Sequence, residues 1–216
     1  MSPTLYHHPV SVPSRAALLT VRNIGLNVRV KVIDIYKGEQ NAPEYLRINP
    51  LHQVPVYEDG NFVVTESRAI ICYLGSVNNK FYPADLQKRS LVDSRLFFDA
   101  TNSFPAIRDF ARPVLRAGVK KISQDRRDTI ITWLSAIELF LSLSQWIAGD
   151  EITIADFSFL AHVASAKAFG VDFNQFPKLN DWYNRCKSLP GFDENEEGSK
   201  LLADKLRGLL EEPLWS

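Results

Sequence analysis

Two short segments hold the groups best suited to binding chemistry. The first is Asn49-Pro50-Leu51-His52-Gln53-Val54-Pro55-Val56; the second, ten residues on, is Glu66-Ser67-Arg68-Ala69-Ile70. A proline at the mouth of a strand cannot donate to a ladder, so Pro55 belongs at a strand start or edge. If Val54–Pro55 is cis, the N–H and C=O of Val54 turn outward, where an extended peptide could pair with them. The second segment sets an acid, a hydroxyl and free backbone N–H groups where a helix begins. The first N–H groups of a helix lack partners and attract carboxylates. A site that pairs with a peptide backbone and also holds a carboxylate suits a small acidic peptide.

Regular elements must position those groups. Leu5 to His8 reads as a strand and Pro9 to Ser14 as a loop. Ser14 fits the N-cap of a helix that carries Ala16, Ala17, Leu18, Leu19, Val21 and Ile24 and stops at Gly25. Val28 to Asp34 alternates Val28, Val30 and Val32 with Arg29 and Lys31, a half-buried strand. Pro43 to Ile48 fits one short helix. Val54 to Glu58 and Phe62 to Thr65 flank Asp59-Gly60-Asn61, a hairpin signal. Glu66 to Val77 is helical. A strand, helix, strand sequence implies a right-handed parallel crossover, and the hairpin adds antiparallel strands. That order is thioredoxin-like.

Beyond Asn78 no segment reads as a strand. Asp85 to Leu115 is one long helical stretch in which Pro105 and Pro113 demand kinks or breaks. Ser123 to Ser144 and Pro177 to Leu189 are further helices. Thr153 to Phe169 opens with Thr153-Ile154-Ala155-Asp156, a capping box with Asp in place of Glu, and Ile152 and Phe157 stand at staple positions. The charge run Asp193 to Glu197 is a solvated loop or a helix start. The fold class expected is α/β plus all-α: a thioredoxin-like domain over residues 1–80 and a helical domain over 88–216.

Composition narrows the function. The chain has 216 residues, 45% hydrophobic and 23% charged, ample for two small cores. Lys plus Arg and Asp plus Glu number 25 each, which argues against a nucleic-acid partner but leaves room for a local basic patch. Cys72 and Cys186 make neither a disulfide framework nor a metal motif, so a reduced, cytoplasmic setting is expected. No basic stretch precedes an apolar run at the start, and no apolar run nears the ~18 residues of a membrane span.

The motifs together resemble the cytosolic glutathione transferases, more narrowly the insect delta and epsilon classes. The resemblance is carried by Ser11-Val12-Pro13-Ser14-Arg15-Ala16, Lys37-Gly38-Glu39, Asn49 to Pro55, Glu66 to Ile70 and Thr153-Ile154-Ala155-Asp156-Phe157, which fall in family order along most of the chain. Each alone would be weak. There are departures: Gln40 stands where the family often has a histidine, Leu51 where it has glutamine, and Ser14 where cysteine is common. Gln40 can hydrogen-bond but cannot become cationic.

The resemblance implies a homodimer that uses glutathione as co-substrate and needs no metal. It makes Ser11 the catalytic hydroxyl, donating to the glutathione sulfur so that thiolate is favoured over thiol; the bland reading of Ser11 is a loop or cap residue. It assigns His52 to the glycine carboxylate of glutathione, Gln40 to a further hydrogen-bonding contact with glutathione, Val54 and Pro55 to its backbone, and Glu66 and Ser67 to the γ-glutamyl amine and carboxylate, with Arg68 orienting them. Asp99 matches a delta-class acid near that end, or is a solvated helix residue. An apolar electrophile would lie between the domains. Phe104, Ile107, Phe110 and Leu115 could line its pocket, or belong in part to the core. Arg108-Asp109-Phe110, followed by Arg116-Ala117-Gly118, resembles the Noppera-bo subgroup tied to ecdysteroid production. There Asp109 would accept a bond from a sterol hydroxyl, unless Arg108 neutralises it at the surface. The rivals are a non-enzymatic glutathione-binding carrier of apolar ligands and a thiol redox protein; the latter needs a reactive cysteine where Ser11 and Ser14 stand.

Overall fold

The structure, a computed structural model, describes residues 2–215. Strand β1 (Thr4–His7), helix α1 (Val12–Ile24) and strand β2 (Arg29–Val32) form a parallel crossover unit. A 3₁₀ turn (Glu39–Asn41) and α2 (Pro43–Leu46) lead to the hairpin β3 (Val56–Asp59) and β4 (Phe62–Thr65), then to α3 (Ser67–Asn78). The sheet order is β2-β1-β3-β4, with β3 antiparallel to both β1 and β4. Gly60, at φ 58°, supplies the left-handed backbone of the two-residue turn. The valine alternation in β2 buries less than expected. Because β2 is an edge strand, Val32 remains 56% exposed.

The rest is helical: α4 (Leu86–Phe98), α5 (Phe104–Ala117), α6 (Gln124–Leu143), α7 (Ile154–Phe169), α8 (Pro177–Cys186) and α9 (Phe192–Arg207). The long stretch foreseen from Asp85 is interrupted by a five-residue π-helical turn, Asp99–Ser103. Pro105 stands two residues beyond, and a proline there has no N–H to give and crowds the carbonyl four residues back, at Thr101 inside the turn. A widened turn at that point relieves the clash. Pro113 remains inside α5. The charge run Asp193 to Glu197 lies in the first turns of α9, with Asp193 and Glu194 at its favourable N-terminal end.

Helix α7 is the hub, apolar on nearly every side and buried from Ile154 through Ala166. It packs against α1, α3, α4, α5 and α9. Its start is held by the foreseen capping box. The Asp156 carboxylate accepts from Thr153 N at 2.8 Å, and also from Ile147 N at 2.9 Å and Trp182 Nε1 at 3.0 Å.

One boundary bears on the site. The N-cap of helix α1 lies three residues earlier than Ser14. Ser11 is its N-cap, accepting from Ser14 N at 3.4 Å, and Ser14 is a fully buried residue inside the helix. Pro13 in the first turn makes the early start possible, since its fixed φ suits a helix and its missing N–H would have had no partner there.

Candidate active site

Sheet register brings the candidate residues to one end of the sheet. Tyr6 pairs with Val56, and Val56 with Thr65. The end of β1, the start of β3 and the end of β4 therefore lie side by side. From them hang, in the same order, the loop to Ser11, the Val54–Pro55 entry and Glu66-Ser67. His7 pairs with Val32, so the β2 exit, leading through Tyr36 to Gln40, opens at that end too. Residues more than fifty positions apart in sequence thus share one edge.

Each loop is locally secured. Ser11 N donates to His8 O at 3.0 Å, and Ser11 O accepts from Arg15 N at 3.0 Å. The Ser11 hydroxyl accepts the capping bond, which leaves its own proton to donate elsewhere. The first turn of α1 holds no acid, so its positive end is not already neutralised. The Val54–Pro55 bond is cis, and Val54 precedes β3 outside the ladder. Tyr45 Oη and Asn49 Nδ2 both donate to Gln53 O, at 2.6 and 2.9 Å, and fix this entry from below. His52 is exposed, with φ 47°. Gln40 is nearly buried; its Nε2 donates to Ile35 O at 3.5 Å, and its Oε1 has no protein partner among the described residues. Glu66 sits exposed at φ 65°, ψ 113°, a conformation that costs a non-glycine residue about 1–3 kcal/mol and recurs at functional sites. Ser67 opens α3 directly behind it and is buried.

Arg68 turns away from this edge into the helical half. Its Nε and Nη2 donate to Asp99 Oδ2 at 2.9 and 2.6 Å, and Ser158 Oγ donates to the same oxygen at 2.7 Å. Asp99 is fully buried, not a solvated helix residue. His162 Nδ1 donates to Ser158 O at 2.9 Å and lies 3.2 Å from Asp99 Oδ1. Burial pushes the His162 pKa down despite the Asp99 carboxylate, which favours the neutral ring. Ser158 and His162 were missed in the sequence, although polar residues four apart in an otherwise apolar helix were a usable signal.

Arg15 secures the other side. It is fully buried, and its guanidinium donates to Asn195 O at 2.8 Å and Ser165 Oγ at 2.6 Å, and also to Ser199 Oγ. Burial pulls its pKa down to about 9, which leaves it cationic at neutral pH. It ties α1 to α7 and α9 just behind Ser11. Asn195 and Ser199 gave no sign of this role in the sequence.

The expected pocket walls divide. Phe104 is half-buried beside Arg68, whose guanidinium carbon lies 5.9 Å from its ring centre. Leu115 is half-buried too. Ile107 and Phe110 do not line a pocket: both are buried, and Phe110 stacks on Phe169 at 4.8 Å within the helical core. They occupy the inward face of α5, where apolar side chains pack against α7. Asp109 is outward, its side chain 58% exposed. Its carboxylate accepts from Arg108 Nε and Nη2 at 2.6 and 2.9 Å, and that pairing holds its pKa below the usual carboxylate range.

A thioredoxin-like half whose loops converge on a hydroxyl-capped helix, joined to a helical bundle, defines a class: the glutathione transferases. Residues 1–76 match the family model of the glutathione S-transferase N-terminal domain, and residues 95–190 that of its C-terminal domain. Glutathione S-transferase D7 of Anopheles gambiae is 33% identical over 98% of this chain and 100% of its own. Glutathione S-transferase unclassified 2 of Bombyx mori has a structure superposing with TM-score 0.94 at 40% identity, covering 98% of this chain and all of that one. An epsilon-class glutathione S-transferase of the housefly, Musca domestica, superposes at TM-score 0.91 with 36% identity, over 96% and 98% of the two chains. The chain belongs to the glutathione S-transferase family, within its insect delta and epsilon branch, and is an enzyme with glutathione as co-substrate.

Proposed function

We propose that the protein conjugates glutathione to an electrophilic carbon of an apolar compound, with the Ser11 hydroxyl stabilising the thiolate. The thiolate sulfur forms the new C–S bond, and the leaving group departs with its electron pair or the acceptor carbon framework takes up the charge. The observation that supports this best is the Ser11 hydroxyl: it accepts a bond from Ser14 N and so keeps its proton for a sulfur at the N-terminus of α1. A free thiol has a pKa of about 8.5, and lowering it by about two units takes roughly 3 kcal/mol. One bond to a charged acceptor supplies about 1.5–3 kcal/mol, and the helix terminus adds to it. Glutathione would extend along the sheet edge, its backbone at Val54 and Pro55, its glycine carboxylate near His52 and Gln40, and its γ-glutamyl end at Glu66 and Ser67, with Arg68 behind.

The test is Ser11→Ala. Conjugation of chlorodinitrobenzene should fall ten-fold or more, and thiolate absorbance near 240 nm should titrate at higher pH, with glutathione affinity little changed. Full activity with an unchanged titration would refute the assignment.

A second copy of the chain would cover the apolar side chains left open on α4 and the hairpin. Leu86 is 76% and Phe97 73% exposed on α4, and Phe62 and Val63 of β4 are also open. The exposed large apolar residues of α4 support the homodimer. The steroid role asks Asp109 to accept from a sterol hydroxyl; its engagement by Arg108 and its outward position give that role no support.

A further inference from the structure

Arg108, Arg112 and Arg116 recur every fourth residue of α5 and so share one face. Arg108 is paired with Asp109, whereas Arg112 and Arg116 are exposed and have no ion-pair partner among the described residues. Past the end of this ridge the chain leaving α5 meets the chain leaving α9. Lys120 Nζ donates to Leu209 O at 3.2 Å, and Glu211 N donates to Lys120 O at 3.0 Å. Lys205 on α9 is likewise without an ion pair among the described residues, and its Nζ stands 5.0 Å from the ring centre of Tyr36.

Tyr36 lies in the loop leaving β2, at the sheet end that carries Ser11. It is 48% exposed, and its ring meets the His8 ring edge-on at 5.4 Å. Arg116 and Lys205 each stand four residues before the Lys120–Leu209 contact, and the Arg116 charge works against the rise that burial imposes on the Tyr36 phenol. Leu201 lies one turn before Lys205 on the same face of α9 and is 46% exposed. The Tyr36 ring and Lys205 are therefore in contact beside the His8 loop that leads to Ser11, with Leu201 one turn back on α9 and Arg116 approaching from the end of α5. Nearby acids do not cancel the cations. The Asp34 carboxylate is taken up by the N–H groups of Tyr36 and Lys37 at 3.0 and 3.1 Å and by Lys37 Nζ at 3.4 Å. Glu197 lies two turns from Lys205, about 12 Å along α9.

We propose that the electrophile is an anionic amphiphile, its apolar body against Tyr36 and Leu201 and its carboxylate or sulfonate held by Arg116 and Lys205. The proposal rests on the conjugation reading above and narrows its substrate class. Arginine suits a planar carboxylate, and the ammonium supplies a second charge-assisted contact.

The probes are 4-chloro-3,5-dinitrobenzoate and its methyl ester. In both, the thiolate attacks the chlorine-bearing carbon, the C–S bond forms, and chloride leaves with the bonding pair. Only the charge differs. The acid-to-ester ratio of kcat/KM is measured for wild type, Arg116→Gln, Lys205→Gln and the double variant. Dividing each ratio by that of wild type cancels the intrinsic reactivities of the two compounds. Each single variant should lower the ratio about ten-fold, the loss of one charge-assisted contact, and the double variant further. Lys200→Gln removes the same charge elsewhere on α9 and should leave the ratio alone. Raising ionic strength should erode the acid's advantage selectively.

Ratios unchanged in both single variants and in the double variant would overturn the proposal. Absence of turnover with either compound would defeat the conjugation reading instead. The anion site is then read by calorimetric titration of 3,5-dinitrobenzoate and its methyl ester into wild type and the double variant. Tighter binding of the acid, lost in the double variant, supports the site; equal binding of acid and ester by wild type overturns it.

Discussion

Replacing Asp99 by Asn removes one charge from the closed network behind the proposed γ-glutamyl end while nearly preserving volume. Asp99 is fully buried and accepts from Arg68 at 2.9 and 2.6 Å and from Ser158 at 2.7 Å. Removing one partner of a buried ion pair costs about 3–5 kcal/mol, because the other charge is left uncompensated. The Arg68 side chain retains 19% of its exposure, so water can take up part of its charge, and the lower end, about 3 kcal/mol, applies. For a chain of this size each kcal/mol moves the melting temperature by about 2–4 °C, which gives a fall of roughly 6–12 °C. The functional effect should be directional. Arg68 follows Ser67 at the start of α3, so loosening it should displace the proposed γ-glutamyl site and leave the Ser11 hydroxyl in place. KM for glutathione should therefore rise about ten-fold, with a smaller change in kcat. Thermal melts and initial-rate kinetics in varied glutathione measure both quantities. A melting shift under about 2 °C together with an unchanged glutathione KM would refute the view that Asp99 holds Arg68 for binding.

Two further outcomes follow from buried groups near Ser11. Burial lowers the His7 pKa from 6.5 to about 4, so the unfolded chain takes up this proton first. Its contribution is complete above about pH 6.5 and is lost as pH falls, by at most roughly 3 kcal/mol near pH 4. Unfolding free energies of wild type and His7→Gln between pH 7 and 4.5 should show a shallower acid loss in the variant, and equal slopes would exclude His7 as a contributor. Gly198 has no room for a side chain: an added Cβ would lie 2.3 Å from Pro9 O and 2.6 Å from Arg15 Cδ. Gly198→Ala should cost about 1–3 kcal/mol and, by pushing the Pro9 loop, lower kcat with chlorodinitrobenzene. Wild-type melting and kcat would show that the loop yields freely.

Local chemistry made much of this protein legible in its sequence. The hairpin came from Asp59-Gly60-Asn61, the start of α7 from the Thr153 and Asp156 box, and the two-part organisation from the loss of strand periodicity after Asn78. Each is an interaction among residues a few positions apart, so residue type and spacing suffice to define it. The family resemblance rested on the same short motifs. Long-range packing decided the rest. Whether Ile107 and Phe110 faced a ligand or the core depended on which side of α5 met α7, and apolar side chains serve either purpose. Ser14 beside Arg15 read as the α1 cap, but the loop from His8 lets the helix begin earlier, with Ser11 at the cap. The cation of Arg15 found its partners on α7 and α9, some 150 to 180 residues away, in backbone carbonyls and hydroxyls that no pattern of charges could have announced. The sequence left Asp99 open between an acid near the γ-glutamyl end and a solvated helix residue, because its partners, Arg68, Ser158 and His162, come from other helices, and only the packing of α3 and α7 about the π-helical turn closes them around it.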